Sequence, residues 1–309
     1  MKKCLLTFLL FALSCLCLSA QDSAGAFKSR YDALVKRVGY DGVGVETILD
    51  RWESAFPDDP DMLVARFNYY LLKSTSTEIR VKNQERFLGA RPVLVLKDSL
   101  GADVNYFQEK VYSDSLFALA SQAIDRAVKL YPDRLDLRFS KITSLVGYEK
   151  DSPDMATSAL SALIDYDRTA RPSWKYGDEP ADAGLFESGI QEYCATFYAI
   201  GSPASYESFR TLSEKMLKYD AKNPLFLSNI GTYYLIAKGD NKTARKYYDK
   251  VLKIDPSNYT AIKNSVLMAR RENNAKLEKK YLPMLAKYGA DESEKAAAQA
   301  RLNLLTTKK

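Results

Sequence analysis

The chain contains no histidine, which removes much of the common catalytic chemistry at once. Ser–His and Cys–His nucleophile pairs, imidazole bases and HExxH zinc sites all require that side chain. Three of the four cysteines lie in the apolar N-terminal segment, so only Cys194 would remain after its removal. One thiol forms neither an internal disulfide nor a Cys-rich zinc site. Because it stands among apolar helix positions, Cys194 is predicted to be a small buried hydrophobe.

The sequence contains no complete motif for binding phosphate or calcium. No GxxxxGK[ST] occurs, and Gly42-Val43-Gly44 lacks the rest of a dinucleotide fingerprint. The run Asp58-Asp59-Pro60-Asp61 could ligate calcium, but no loop glycine or bidentate glutamate follows at EF-hand spacing. We interpret that run as a turn and helix cap, and predict no metal and no cofactor.

Residues 1–20 have the three parts of a secretory signal peptide. Lys2 and Lys3 precede the apolar run Cys4–Leu18, and small residues follow at Ser19-Ala20. The run of about 15 residues is too short to cross a bilayer comfortably. We predict an exported mature chain in the periplasm or cell envelope, without a transmembrane segment.

Lipidation of Cys15 or Cys17 is the rival interpretation of this segment. Leu13 stands one place from its lipobox position before Cys15, and Leu16 is too large for the position before Cys17. The sequence therefore favours a signal peptide over a lipoprotein.

The mature chain carries 43 basic and 39 acidic residues, so basic residues are in slight excess. Acidic residues predominate in 41–61 and basic residues in 259–309. The basic end could attract an acidic partner, although solvated helix faces are the preferred interpretation. With export predicted, nucleic acid is not the expected target.

The elements that position these residues are short helices with a recurring tail. Similar apolar helical tails end at Pro57, Pro132, Asp167, Ala221 and Pro256. Two of the intervals are 35 residues, and the longer ones imply insertions at about 76–113 and 168–183. Helices are expected at 27–38, 43–56, 60–73, 114–131, 133–148, 153–166, 184–199, 204–219, 224–237, 241–254, 259–272 and 275–288, with a closing helix near 291–305.

Proline and polar residues mark several helix starts. Ser152-Pro153, Ser202-Pro203 and Asn223-Pro224 are typical of an N-cap followed by a first-turn proline. In the first insertion, the β-branched run Val93–Leu96 and the segment Val104–Phe107 flank a turn and predict a small β-hairpin near 91–109. The second insertion is expected to be an ordered loop held by Trp174.

The segment 223–258 resembles a tetratricopeptide repeat. Its matching residues follow the family's order and are Gly231, Tyr234, Gly239, Ala244, Tyr248, Val251 and Pro256. Ala120, Ile124, Ala127 and Pro132 match in a second tail. The resemblance implies an all-α, right-handed solenoid of about six helical hairpins plus a C-terminal capping helix, as one domain over 21–309. We expect the small residues to lie where paired helices approach closely.

In this family the first helix of each hairpin lines a concave groove that binds proteins or peptides. The resemblance therefore implies a partner-binding set of Arg66, Tyr69, Tyr70, Arg138, Lys141, Asn229, Tyr233, Lys263, Asn264 and Arg270. Some members clamp a C-terminal carboxylate with Lys, Asn and Arg. Lys263, Asn264 and Arg270 suggest such a clamp, but Leu225 and Ser228 stand at the matching positions of the preceding first helix.

The expected function is a non-enzymatic interaction or scaffold module with a protein or peptide partner. The alternative is an exported carbohydrate-active enzyme, in which about twelve helices close into a ring around two carboxylates. Sugar clefts favour tryptophan platforms, and this chain has two tryptophans, Trp52 and Trp174. The sequence leaves the partner's identity and the oligomeric state open.

Overall fold

A computed structural model describes residues 23–307, which form thirteen helices and five short strands. The predicted signal peptide at 1–20 lies outside the described residues. The chain forms two compact units, one of residues up to 79 and 108–144, the other of residues 80–107 and from 145 onward. The single domain expected over 21–309 stays a prediction.

The first unit contains two helical hairpins. Its helices are α1 (Ala24–Val38), α2 (Val45–Ala55), α3 (Pro60–Lys73), α4 (Asp114–Leu130) and the start of α5 (Leu135–Glu149). Each of α1 to α3 packs on the helix that follows it. Trp52 and Met62 belong to the same buried cluster as a row of small residues on α4, Ala120, Ala123 and Ala127. Their spacing of three or four residues places one small face of α4 against α3.

The second unit also consists of helices packed in chain order. Its helices are α6 (Asp154–Ala170), α7 (Leu185–Ile200), α8 (Pro203–Tyr219), α9 (Pro224–Ile236), α10 (Asn241–Ile254), α11 (Tyr259–Arg271), α12 (Ala275–Tyr288) and α13 (Glu292–Thr307). From α7 to α13, each helix packs on the next one along the chain. The predicted helices are therefore present, with ends that differ by up to four residues.

Helix caps confirm most of the predicted starts. The side chains of Asp59, Ser202 and Asn223 accept backbone N–H bonds at the starts of α3, α8 and α9. Asp59 thus caps a helix, as the interpretation of its acidic run predicted.

The cap predicted at Ser152 is wrong. Ser152 Oγ bonds the Asp154 carboxylate at 2.9 Å and makes no N-cap bond. The Glu149 carboxylate accepts instead, from the backbone N–H groups of Met155 and Ala156 at 2.6 and 2.8 Å. The Glu149 carboxylate at the end of α5 therefore caps α6 in place of the Ser152 hydroxyl.

Gly231 allows α9 and α10 to approach closely, as predicted. A Cβ at this position would lie 2.8 Å from Cε1 of Tyr248, whose ring is fully buried. The Tyr248 hydroxyl is fixed by Thr232 at 2.9 Å and Asn264 at 2.8 Å. The ring therefore has little freedom to move away.

The chain is mostly helical, and its first insertion contains one strand more than the predicted hairpin. It contains a three-stranded sheet of β1 (Thr75–Lys82), β2 (Leu94–Lys97) and β3 (Asp103–Tyr112), in the order β1–β3–β2. The predicted hairpin is confirmed as the antiparallel pair β2–β3, with Leu94 opposite Tyr106 and Leu96 opposite Val104. Strand β1 was not predicted, although its sequence TSTEIRVK is rich in β-branched residues.

The second insertion is ordered, as expected. The two short strands β4 (Lys175–Tyr176) and β5 (Glu179–Pro180) pair across a turn. Trp174 stacks on Phe186 with ring centroids 6.0 Å apart, and its indole N–H donates to Asp167 at 2.8 Å. No helix within 23–307 has both the length and the apolar character that a membrane crossing requires.

Candidate interaction surfaces

A tyrosine, an acid and a lysine join the first two hairpins. Tyr69 Oη donates to the Glu46 carboxylate at 2.8 Å, which links α3 to α2. Lys73 Nζ donates to the same hydroxyl at 2.7 Å. The neighbouring Tyr70 packs edge-on against Tyr69, with ring centroids 5.2 Å apart.

The same device recurs between α8 and α9. Tyr233 Oη donates to Glu207, which also accepts from Lys238 Nζ at 3.0 Å and Arg210 Nε at 2.9 Å. The Tyr233 hydroxyl, with Lys238 and Arg210, lowers the pKa of Glu207 to about 2. Tyr69 and Tyr233 are both the tenth residue of a helix that begins with proline. This recurrence at Tyr-Tyr doublets was a readable signal in the sequence.

Four of the ten residues expected in an open groove are buried, which corrects their expected exposure. Tyr69 and Tyr233 are held in the junctions just described. Arg66 is only 6% exposed, and its Nη2 lies 2.9 Å from Asp50 and 2.8 Å from Glu53 of α2. Asn229 bonds Gln191 of α7 at 2.7 Å and Ser213 of α8 at 3.2 Å. These polar groups pair with neighbouring helices because a buried polar atom without a partner is costly.

Three further residues of the set are half-buried. Tyr70 lies beside Arg66, with the guanidinium carbon 5.9 Å from its ring centroid. Arg138 donates to the Pro132 carbonyl at 3.0 Å, and Lys141 pairs with Asp125 at 2.6 Å. Their binding roles stay predictions.

The three residues of the suggested carboxylate clamp face different neighbours. Lys263 contacts Glu294 of α13 at 3.1 Å, and Asn264 donates to the Tyr248 hydroxyl of α10. Arg270 pairs with Glu278 of α12 at 2.8 Å. The structure therefore does not bring these three groups together on one point.

Glu278 is the centre of a network that sequence reasoning missed. It is 2% exposed and accepts from Arg301 Nε and Nη2 at 2.9 and 3.0 Å, as well as from Arg270. The bonds from Arg301, supported by Arg270, hold the pKa of Glu278 below its usual range. This carboxylate ties α11, α12 and α13 together.

Cys194 is buried, as predicted. Its Sγ lies 3.8 Å from Ser213 Oγ. Burial raises the pKa of the thiol to about 12, so it stays protonated at neutral pH.

A tight turn of the first insertion contacts the end of α7. Phe87 and Ala90 exchange two backbone hydrogen bonds, and Leu88 and Gly89 between them have φ of 49° and 80°. A Cβ on Gly89 would lie 2.2 Å from the Ala199 carbonyl oxygen. Glycine is therefore required both by the turn and by the close approach. A cavity of roughly 710 Å³ lies beside this contact.

Strand β2 has a free edge, because it is the last strand of its sheet. Asp98 N–H donates to Ala102 O at 3.0 Å, and Val93 N–H donates to Tyr106 O at 2.8 Å. Bonded residues alternate along an antiparallel ladder, so Leu94 and Leu96 bond to β3. The N–H and C=O groups of Val95 and Lys97 consequently point away from the sheet.

The side chains on this strand are apolar and exposed on both faces. Val93, Leu94, Val95 and Leu96 are 46–59% exposed, and Leu100 at the turn is 92% exposed. On one face, Leu94 and Leu96 adjoin the half-buried Tyr106 and Val104 of β3. The sequence predicted the strand but not this exposure, since a short apolar run does not reveal whether it is covered.

Comparison with known proteins gives no matching family, and no curated protein matches the chain. Among solved structures, the chain is similar to the flexible tandem repeat domain of a bacterial cellulose synthase subunit. The two share 16% sequence identity with a TM-score of 0.28, and the match covers 85% of this chain and 90% of the other.

Proposed function

We propose that this protein is a helical-repeat interaction module that binds a protein or peptide on the first helices of its hairpins. The observation that carries the proposal is the consecutive packing of helices, in which each of α7 to α12 contacts its successor. Hairpins stacked in this way each contact their neighbours and offer an extended surface to a partner. The tetratricopeptide-like residues of 223–258 add support, and a right-handed solenoid is part of the same proposal.

The junction contacts narrow the binding surface. Because Arg66, Tyr69, Asn229 and Tyr233 are buried, the proposed surface consists of the more exposed members of the predicted set. These are Tyr70, Arg138, Lys141, Lys263, Asn264 and Arg270. Lys263 and Arg270 are the most exposed of them, and both lie on α11.

Site-specific photo-crosslinking in the native host tests this function. A photoreactive residue is placed at Lys263 on the first helix α11, or at the exposed Lys279 on the second helix α12 as the matched control. We expect a discrete adduct from Lys263 and little from Lys279. Equal adducts, or none from any exposed position on α9 and α11, would contradict the proposal.

Export to the periplasm or envelope belongs to the same proposal. Its support is the three-part pattern of residues 1–20. N-terminal sequencing of the purified mature chain should begin at Gln21. A chain that begins at Met1 would refute export, whereas one acylated on Cys15 or Cys17 would refute only the cleavage before Gln21 and would leave export to the envelope standing.

A further inference from the structure

We propose that the free edge of β2 binds an extended, mostly apolar segment of a partner polypeptide, which adds a fourth strand to the inserted sheet. The segment carries an acidic residue that meets Arg91. This inference rests on the proposed function as an interaction module and adds a second surface, on the inserted sheet.

The main chain of β2 supplies the first part of the recognition. The outward N–H and C=O groups of Val95 and Lys97 have no hydrogen-bond partner among residues 23–307. A strand laid along this edge would satisfy them in the regular alternation of a β-ladder. Such main-chain pairing gives affinity without requiring one particular sequence.

The side chains supply the second part. Val93 to Leu96 are half-exposed on both faces, and Leu94 and Leu96 continue the face formed by Val104 and Tyr106. Soluble proteins seldom expose an apolar patch of this kind unless it meets a partner. In a docked strand, apolar residues at alternating positions would cover the side chains of one face, and β-branched residues between them would cover those of the other.

The ends of the edge limit the length of the docked strand. Pro92 has no N–H to donate, and Val93 N–H bonds Tyr106 O out of the regular register. At the other end, Gly101 has φ of 82° in the turn that follows Asp98. The edge therefore accepts roughly four residues of strand, since both ends bend away from the ladder.

The charged residues beside the edge determine which charge the partner segment should carry. Lys97 is paired with Asp103, and the Asp98 carboxylate accepts from the N–H groups of Leu100 and Ala102 at 2.8 and 2.9 Å. Arg91 is exposed and forms no ion pair with any residue of the described chain. Of the charged groups flanking β2, Arg91 is thus the one left to attract an acidic side chain.

The inserted sheet is anchored well enough to present this edge. Gly89 contacts the α7 backbone at Ala199, and Phe107 of β3 is buried and packs edge-on against Phe87 at 6.0 Å. A rigid edge loses little freedom on binding.

The test measures the binding of a labelled nonapeptide to the full mature chain by fluorescence anisotropy. The peptide alternates valine and threonine and carries two terminal glutamates. The key variant is Val95→Pro, which removes an outward N–H but no bond to β3, with Val95→Thr as the matched control. We expect Val95→Pro to weaken binding about tenfold relative to Val95→Thr, as the loss of one or two main-chain bonds would. Arg91→Glu should reverse the preference for glutamate-ended over lysine-ended peptide.

Hydrogen exchange on the unmodified chain tests the same contact without a variant that could misfold. The amides of Val95 and Lys97 should be protected when the peptide binds. Equal affinities of Val95→Pro and Val95→Thr, no protection at these amides, or no binding at about 1 mM would overturn the inference. Sedimentation that shows a dimer lost in Val95→Pro would overturn it too, because a second copy would then occupy the edge.

The two proposals fail separately. If Val95→Pro abolishes peptide binding while the Lys263 adduct persists, both surfaces are in use. If the Lys263 adduct is absent and the peptide still binds, the edge acts and the helical surface does not.

Discussion

At the residue scale, this chain commits its tyrosines and acids to holding helices together. Tyr69 with Glu46 and Tyr233 with Glu207 close equivalent junctions in the two units. A tyrosine suits this position because its ring packs while its hydroxyl reaches a polar partner. The same residue type that suggests a binding groove in the sequence therefore stabilises a junction in the fold.

Gly231→Ala should destabilise the protein. The new Cβ would lie within 3.0 Å of three ring atoms of Tyr248, which is buried and fixed by two hydrogen bonds. We expect a loss of about 1–3 kcal/mol in the free energy of unfolding, measured by urea denaturation. Gly25→Ala is the control. Its Cβ meets nothing closer than 3.9 Å at an exposed position in the first turn of α1, so it should not destabilise and could add up to about 0.5 kcal/mol.

Glu207→Gln should remove a pH-dependent part of the stability. The folded pKa of Glu207 is about 2, below its ordinary 4.5, so the contribution is present above pH 4.5 and lost toward pH 2. Since this carboxylate is 45% exposed, solvent screening limits the effect to about 0.2–1 kcal/mol at pH 7. The difference between wild type and Glu207→Gln should shrink as the pH falls from 5 toward 3.

Glu292→Gln is the control for that pH series, since Glu292 is 90% exposed and contacts only Lys295 among the described residues. A difference for Glu207→Gln that stays constant over the same pH range would show that the carboxylate charge plays no part.

At the element scale, the C-terminal helices depend on one buried carboxylate. Glu278 in the first turn of α12 accepts from Arg270 of α11 and Arg301 of α13. Helix α13 buries Ala298 fully and packs Leu302 and Leu305 against the same apolar cluster. The ion network adds to this packing in fixing the last helix.

Glu278→Ala should therefore loosen α13 first. Both arginines are half-exposed and regain water, so we expect a loss of about 1–3 kcal/mol rather than the larger cost of an isolated buried charge. Amide hydrogen exchange should rise in 292–307 while α9 and α10 stay protected. Arg271→Ala, at an exposed position on α11, should leave exchange unchanged. Uniform exchange across all helices would argue against this local role.

At the scale of the whole molecule, the first insertion should be separable from the helices. Its two ends meet, because Ser113 N–H donates to Ser74 O at 2.8 Å. Residues so paired can be joined by a two-residue turn. The hairpin of α3 and α4 should consequently form with or without the intervening sheet.

Replacing 75–112 by two glycines tests this independence. We expect the helical circular dichroism of the full chain to persist, with a loss in unfolding free energy of no more than about 3 kcal/mol from unburied groups such as Phe107. The β-strand peptide should no longer bind, whereas the Lys263 adduct should remain. A collapse of helical signal would show that the sheet is part of the helical core.

The sequence by itself determined the helices, most of their caps, the hairpin β2–β3 and the close approach at Gly231. Caps depend on neighbours within a few residues, such as Asn223 before Pro224. Helices and their close approach depend on apolar and small residues that recur with the helical period. Strand β1 is rich in β-branched residues, but its partner β3 is not the next strand along the chain, so no local turn indicates the pairing.

Only the tertiary structure decided which polar side chains are buried between helices. Arg66 and Asn229 are buried because Asp50 and Gln191, 16 and 38 residues away, face them across helix boundaries. Likewise, four apolar residues in a row predicted a strand at Val93–Leu96, yet nothing local fixes whether another strand covers it. Exposure is a property of what packs alongside, and helix packing brings together residues whose separation no local pattern encodes.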